Sequence, residues 1–110
     1  EQQVVAAFRS SPVLSLLDLG SGTLRQRLAT CEDVDDLFVD AGRQRIYVIC
    51  GSGAIEIFAS RDGISASIGR IPTAKGARTG LFVPELDELF VAVPATAEEA
   101  AAIRVFRPQP

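Results

Sequence analysis

Histidine, methionine and tryptophan are absent from this 110-residue chain. Without histidine it has no imidazole general base and no histidine metal ligand. Serine and threonine hydroxyls therefore lack their usual activator, and nothing fixes a catalytic separation between its paired carboxylates. Only two cysteines occur, Cys31 and Cys50. Two thiols cannot complete a tetrahedral zinc site, and the other potential ligands nearby are carboxylates. No sequence pattern assigns a metal or a cofactor. No apolar run approaches the ~20 residues of a membrane helix. The start, Glu1-Gln2-Gln3-Val4, has no basic region followed by a long apolar one, so no signal peptide is expected. The net charge is −3, from 11 basic and 14 acidic residues, with no basic patch, which argues against nucleic-acid binding.

What is present is material for a core: 47% of the residues are hydrophobic. The stretch from Cys31 to Phe58 organises the rest. Leu37-Phe38-Val39 reads as a buried strand, followed by a polar hairpin connection, Asp40 to Arg45, with Gly42 as its permissive residue. Ile46-Tyr47-Val48-Ile49-Cys50 is a continuous apolar run, which predicts a strand covered on both faces. Gly51-Ser52-Gly53 breaks it. Ala54 to Phe58 is the next strand, with Glu56 its one charged position, and Ile64 to Ile71 follows, more polar and alternating.

This pattern recurs. Gly80 to Pro84 matches Asp36 to Asp40, Leu89 to Val93 matches Ile46 to Cys50, and Ile103 to Phe106 matches Ile55 to Phe58. Backwards, Val4 to Phe8 matches Ile46 to Cys50, and Leu14 to Leu17 lies near Ile55 to Phe58. Leu89 lies 43 residues after Ile46, within the roughly 40–50 residues of a four-stranded propeller blade. The expected fold is therefore all-β: four-stranded antiparallel β-propeller blades in an incomplete ring. With strands labelled A to D from the axis outward, the chain reads B-C-D, A-B-C-D, A-B-C. This divides a single segment, 1–110, into a partial blade 1–29, a complete blade 30–72 and a partial blade 73–110. Thr23 to Leu28 reads as a polar edge strand, with Leu24 and Leu28 on one face and Gln26 between them. Ala95 to Ala102, with Glu98-Glu99 and several alanines, reads as an inserted loop with room for a helical turn.

The segment from Cys31 to Phe58, with Gly76 to Asp87, resembles the YVTN-type β-propeller repeats of bacterial secreted and surface-layer-like proteins. Tyr47-Val48 stands where the family has its Tyr-Val, whereas Ile49-Cys50 departs from the Thr-Asn that follows. The resemblance implies a propeller portion and does not specify a function, because propellers host enzymes, binding proteins and scaffolds. Two functions follow as expectations. One is a non-catalytic propeller segment acting as a binding or scaffold module. The other is a fragment of a lactonase-like or quinoprotein-like enzyme whose catalytic groups lie mostly elsewhere.

Strand order places the D–A and B–C loops on one face of the disc: Arg9 to Pro12, Cys31 to Asp35, Gly51 to Gly53, Lys75 to Thr79 and Ala95 to Ala101. An unknown ligand or protein would dock there, since scaffolds present their sites on loops. Glu32, Asp33, Asp35 and Asp36 form the densest acidic cluster, and Arg78 sits in the equivalent loop of the next blade. Asp33, Asp35 and Arg78 are the candidate binding residues. Carboxylate oxygens suit calcium, and a guanidinium suits an anion. The competing reading is a set of loop ion pairs, including a bridge between neighbouring blades. The EF-hand spacing is absent, and Gly51-Ser52-Gly53 opens no helix that could cradle phosphate.

Cys50 ends a strand and Cys31 lies in a loop on the same face. With the hairpin turning near Gly42-Arg43, Asp35 falls opposite Cys50. Cys31 is then ~13 Å away along a straight strand. A disulfide needs Cα atoms within ~7 Å, so the bond requires residues 32–34 to curl back over the blade. A Cys31–Cys50 disulfide is expected on that basis. The alternative is two thiols, with Cys50 a small buried hydrophobe. The bond implies an oxidising, extracytoplasmic compartment, periplasmic or secreted. Single blades bury their faces only against neighbours, so the chain is expected to self-associate or to belong to a longer protein.

Overall fold

The computed structural model describes residues 2–110. Among them are ten β-strands in three antiparallel sheets, and no helix. Sheet 1 runs β1 (Gln3–Phe8), β2 (Val13–Asp18), β3 (Leu24–Ala29). Sheet 2 runs β4 (Val34–Asp40), β5 (Arg45–Cys50), β6 (Ala54–Arg61), β7 (Ile64–Pro72). Sheet 3 runs β8 (Gly80–Val83), β9 (Glu88–Val93), β10 (Ala102–Phe106). Each strand pairs with its sequence neighbour within its sheet, so local hairpins build everything. The insert at residues 95–102 contains bends rather than the helical turn its alanines suggested. Thr96 closes it instead: its Oγ1 accepts from the Glu98 and Glu99 amides, and its own amide donates to the Glu99 carbonyl at 2.8 Å. Such side-chain bonds offer the backbone an alternative to helix.

The sheets pack face to face. β5 is the reason, because its apolar run serves both sides. Ile46, Val48 and Cys50 join Leu14 and Leu16 of β2 in the core between sheets 1 and 2. Tyr47 and Ile49 join Phe82, Leu89 and Val91 in the core between sheets 2 and 3. The Tyr47 and Phe82 rings meet edge to face, 5.4 Å apart at 67°, a favoured aromatic geometry. The first and last strands of neighbouring sheets also approach one another: β1 and β4, β4 and β8, β3 and β7.

Three registers differ from the sequence reading, and each slip of one residue exchanges the two faces of a strand. In the β4–β5 ladder a bulge falls between Val34 and Asp36, so Val34 rather than Asp35 stands opposite Cys50. Asp35 is the extra residue. In sheet 3 the resemblance of Leu81-Phe82-Val83 to Leu37-Phe38-Val39 misleads by one position. Phe38 pairs Tyr47 and Leu81 pairs Phe90, so the two β-hairpins superpose at one spacing of 43 residues. Gly80 then stands where sheet 2 has Leu37. A Cβ there would lie 2.3 Å from Ile49 Cδ1 and 2.7 Å from the Phe90 carbonyl oxygen, so only glycine fits against the β5 side chain. In sheet 1 a bulge sets Leu16 opposite Gln26 but Leu17 opposite Leu24. Leu24 therefore parts from Leu28, which packs on the core, and is left exposed. Gln26 uses its position on the edge strand to knit two sheets. Its side chain accepts from the Ser65 amide at 2.8 Å and donates to the Ser65 carbonyl at 3.0 Å.

Candidate functional site

The loop at residues 30–35 enters sheet 2 between its two neighbours. Asp33 adopts a left-handed conformation, φ 61°, which aspartate tolerates better than most residues. That turn, with the Asp35 bulge, supplies the curl-back that a disulfide requires. It carries Cys31 to within 6.0 Å, Cα to Cα, of Cys50, and the two are disulfide-bonded. Both half-cystines are buried. The Gly51 amide donates to the Asp33 carbonyl at 2.7 Å and holds the turn from the other side.

The same curl presents the carboxylates. Asp33 Oδ2 accepts from Arg78 Nη1 at 2.6 Å, and Asp33 Oδ1 lies 3.5 Å from Arg9 Nε. Arg9 Nη2 donates to Asp35 Oδ1 at 2.6 Å, and Arg9 Nε donates to the Val34 carbonyl at 3.1 Å. The three sequence candidates are thus brought together: Asp33 meets Arg78 directly, and Asp35 joins them through Arg9. One chain of charges, Asp35–Arg9–Asp33–Arg78, crosses both sheet junctions. Gly51 makes the space for it. A Cβ at Gly51 would sit 2.3 Å from Asp33 Oδ2 and 2.8 Å from Arg78 Nη1. Of the remaining acidic residues, Glu32 is exposed, and Asp36 accepts from the Gly80 amide at 3.5 Å. The pairs are partly exposed, so each contributes about 0–1 kcal/mol. Arg9 was visible on the same loop face, but its role depends on a spacing of more than twenty residues that no local pattern encodes.

A second polar network, on the opposite face, escaped the sequence reading. Arg43 in the β4–β5 hairpin grips Asp87 with two parallel bonds, Nη1 at 2.7 Å and Nη2 at 2.8 Å. Arg43 Nη1 also donates to buried Asp40 at 3.0 Å, and the Tyr47 hydroxyl donates to the same carboxylate oxygen at 2.5 Å. Arg43 holds the Asp87 carboxyl below its ordinary range, and the two carboxylates raise the Arg43 guanidinium above its own. Burial, then the bond to Asp40, pushes the Tyr47 phenol up to about 12. Arg43 and Arg45 also donate to the Gln109 carbonyl, at 2.9 and 2.7 Å, strapping the last residues across sheet 2. The available signal was an Asp-x-x-Arg hairpin, Asp40 to Arg43, which as a sequence pattern reads only as a turn. Glu56 is buried too, held by Arg70 at 2.7 Å and Ser67 at 2.7 Å.

A cleft of about 750 Å³ runs along the junction of sheets 1 and 2 beside Gln3, Arg25, Val39, Gln44 and Asp62. Asp33, Asp35 and Arg78 do not line it. Among the described residues, no group of three or more His, Cys, Asp or Glu side chains is placed to hold a metal ion. Chemically, the loop cluster is an alternating row of opposite charges, each already neutralised by its neighbour. Comparison with known protein families, curated proteins and solved structures finds no match to this chain.

Proposed function

We propose that this chain is a non-catalytic β-propeller segment that works as a binding or scaffold module. The carrying observation is where its charges are spent. Asp33, Asp35 and Arg78, the candidate ligand residues, face one another and Arg9 across the sheet junctions. A carboxylate in a 2.6 Å bond to a guanidinium already has its charge largely neutralised, which weakens it as a cation ligand. The apolar faces at the two ends of the stack, by contrast, are open, and they are the module's working surfaces. The propeller assignment is supported by the 43-residue spacing and by the resemblance of its sequence to YVTN-type repeats. The Cys31–Cys50 bond supports an extracytoplasmic location, where disulfides persist.

Calcium titration followed by thermal melting, with a lactone-hydrolysis assay on the same samples, tests the reading. The expected result is an unchanged melting temperature and no hydrolysis. A melting temperature that climbs with calcium by mass action, together with hydrolysis, would replace the scaffold by a lactonase-like enzyme fragment.

A further inference from the structure

The two outermost sheets of the stack each turn an apolar face to solvent. On sheet 3 the face is Leu81, Phe90 and Val105 in one cross-strand row and Ala92 with Ile103 in the next. Leu81, Ile103 and Val105 are 56%, 62% and 53% exposed. On sheet 1 the rows are Val4, Leu17 and Leu24, then Phe8, Val13 and Ala29, with Ala6, Ser15 and Arg27 between them. Val4, Phe8 and Leu24 are 43%, 53% and 49% exposed. Scattered apolar residues on a surface are ordinary, but contiguous rows at both ends of a repeat stack mark faces that need a partner.

The repeat says which partner. Leu81, Phe90 and Ala92 stand 43 residues after Phe38, Tyr47 and Ile49, the sheet 2 residues that sheet 3 covers. Ile103 and Val105 stand 48 residues after Ile55 and Ile57, which that same core includes. Val4, Ala6 and Phe8 stand 42 residues before Ile46, Val48 and Cys50, which sheet 1 covers. The exposed face of sheet 3 is thus the counterpart of a face that receives a following sheet. The exposed face of sheet 1 is the counterpart of a face that receives a preceding sheet. They complement each other rather than themselves.

We infer that the outer face of sheet 3 packs on the outer face of sheet 1 of a second copy of this chain. The inference rests on reading the chain as a scaffold of stacked sheets. It continues outward the interface already built twice within the molecule. The junction is heterologous, and two such junctions between two copies close six sheets, within the four to eight of propeller rings. Arg27 is the one charge within the sheet 1 rows, and its long stem lets the guanidinium reach the rim while its methylenes pack.

Sedimentation velocity of the intact chain and two surface variants tests this. Val4→Lys with Phe8→Lys blocks the face of sheet 1; Leu81→Lys with Val105→Lys blocks that of sheet 3. The expected results are a wild-type dimer, each variant alone a monomer, and a one-to-one mixture that regains a dimer through the one junction still intact. A monomeric wild type, a blocked variant that still dimerises with itself, or a mixture that stays monomeric would each overturn the inference. Circular dichroism checks that each variant keeps its β signal. Leu24→Ser or Ile103→Ser, milder changes on the same faces, replace any variant that does not. A monomeric wild type leaves the scaffold reading standing, since calcium and hydrolysis decide that separately.

Discussion

Sheets 2 and 3 are the same piece of backbone fastened in two ways. Their first hairpins superpose at a constant spacing of 43 residues. Gln44 and Asp87, at that spacing, share a left-handed turn, φ 55° and 56°. Asp33 and Gly76 share another, φ 61° and 85°. Where sheet 2 ties Cys31 to Cys50, sheet 3 has Ala74 and Val93, two apolar residues of the core it shares with sheet 2. Sheet 2 is locked from within by a covalent bond; sheet 3 relies on its neighbour. The corresponding positions Asp35 and Arg78 both reach back to the preceding sheet, with opposite signs, to Arg9 and to Asp33. Backbone conformation is what the repeat keeps, and the side chains on it are free to choose a bond, a charge or a methyl group.

Removing the covalent lock has the largest effect. Cys31→Ser with Cys50→Ser opens a loop of 19 residues' separation, which costs about 3 kcal/mol on the chain-entropy argument. For a domain of this size that lowers the melting temperature by roughly 10–20 °C, read by calorimetry with and without reductant. Adding the lock to sheet 3 sharpens the comparison. Ala74→Cys with Val93→Cys should form a second disulfide, seen as no free thiol in the denatured, unreduced protein.

Alkali comes next. Tyr47, whose counterpart is Phe90, is protonated up to about pH 12 in the folded protein, against about 10 in an unfolded chain. Because the folded pKa is the higher, its contribution is complete below pH 10 and is lost as pH rises toward 12. Urea melts across that window should lose on the order of 2 kcal/mol, and Tyr47→Phe should abolish that part of the slope. Acid acts with the opposite sign. Asp87 is held below its ordinary value by Arg43. Its contribution is complete above the ordinary carboxylate range and disappears as pH falls through the lowered value. Arg43→Ala should flatten the acid limb of the stability profile.

Gly51→Ala has a smaller effect. The added methyl group meets Asp33 and Arg78 and should push the pair apart, with a loss of about 1 kcal/mol in urea melts. A variant as stable as the original would mean that the pair moves aside without cost.

How much of this was legible follows from how local each feature is. The continuous run Ile46 to Cys50 announced a strand with two covered faces, since composition alone decides that. The disulfide was legible in outline because its need for a curled loop was visible, although the Asp35 bulge and the left-handed Asp33 that supply the curl were not. A bulge adds one residue without changing the type of any, so the register of Leu24 was misread, while Leu81-Phe82-Val83 looks enough like Leu37-Phe38-Val39 to mislead by one position in a ladder with no bulge. The Asp33–Arg78 pairing was legible from opposite charges on equivalent loops. Arg9, Gln26 and the Asp40–Arg43–Asp87–Tyr47 network were not, because long polar side chains choose partners by tertiary geometry alone.

The central claim is that the loop charges fasten one sheet to the next. A double-mutant cycle on Asp33→Asn and Arg78→Ala, by urea denaturation at low and at high salt, tests it most directly. The account predicts a coupling of about 0.5–1 kcal/mol at low salt that shrinks toward zero at ~1 M salt. Strictly additive losses at low salt would contradict it.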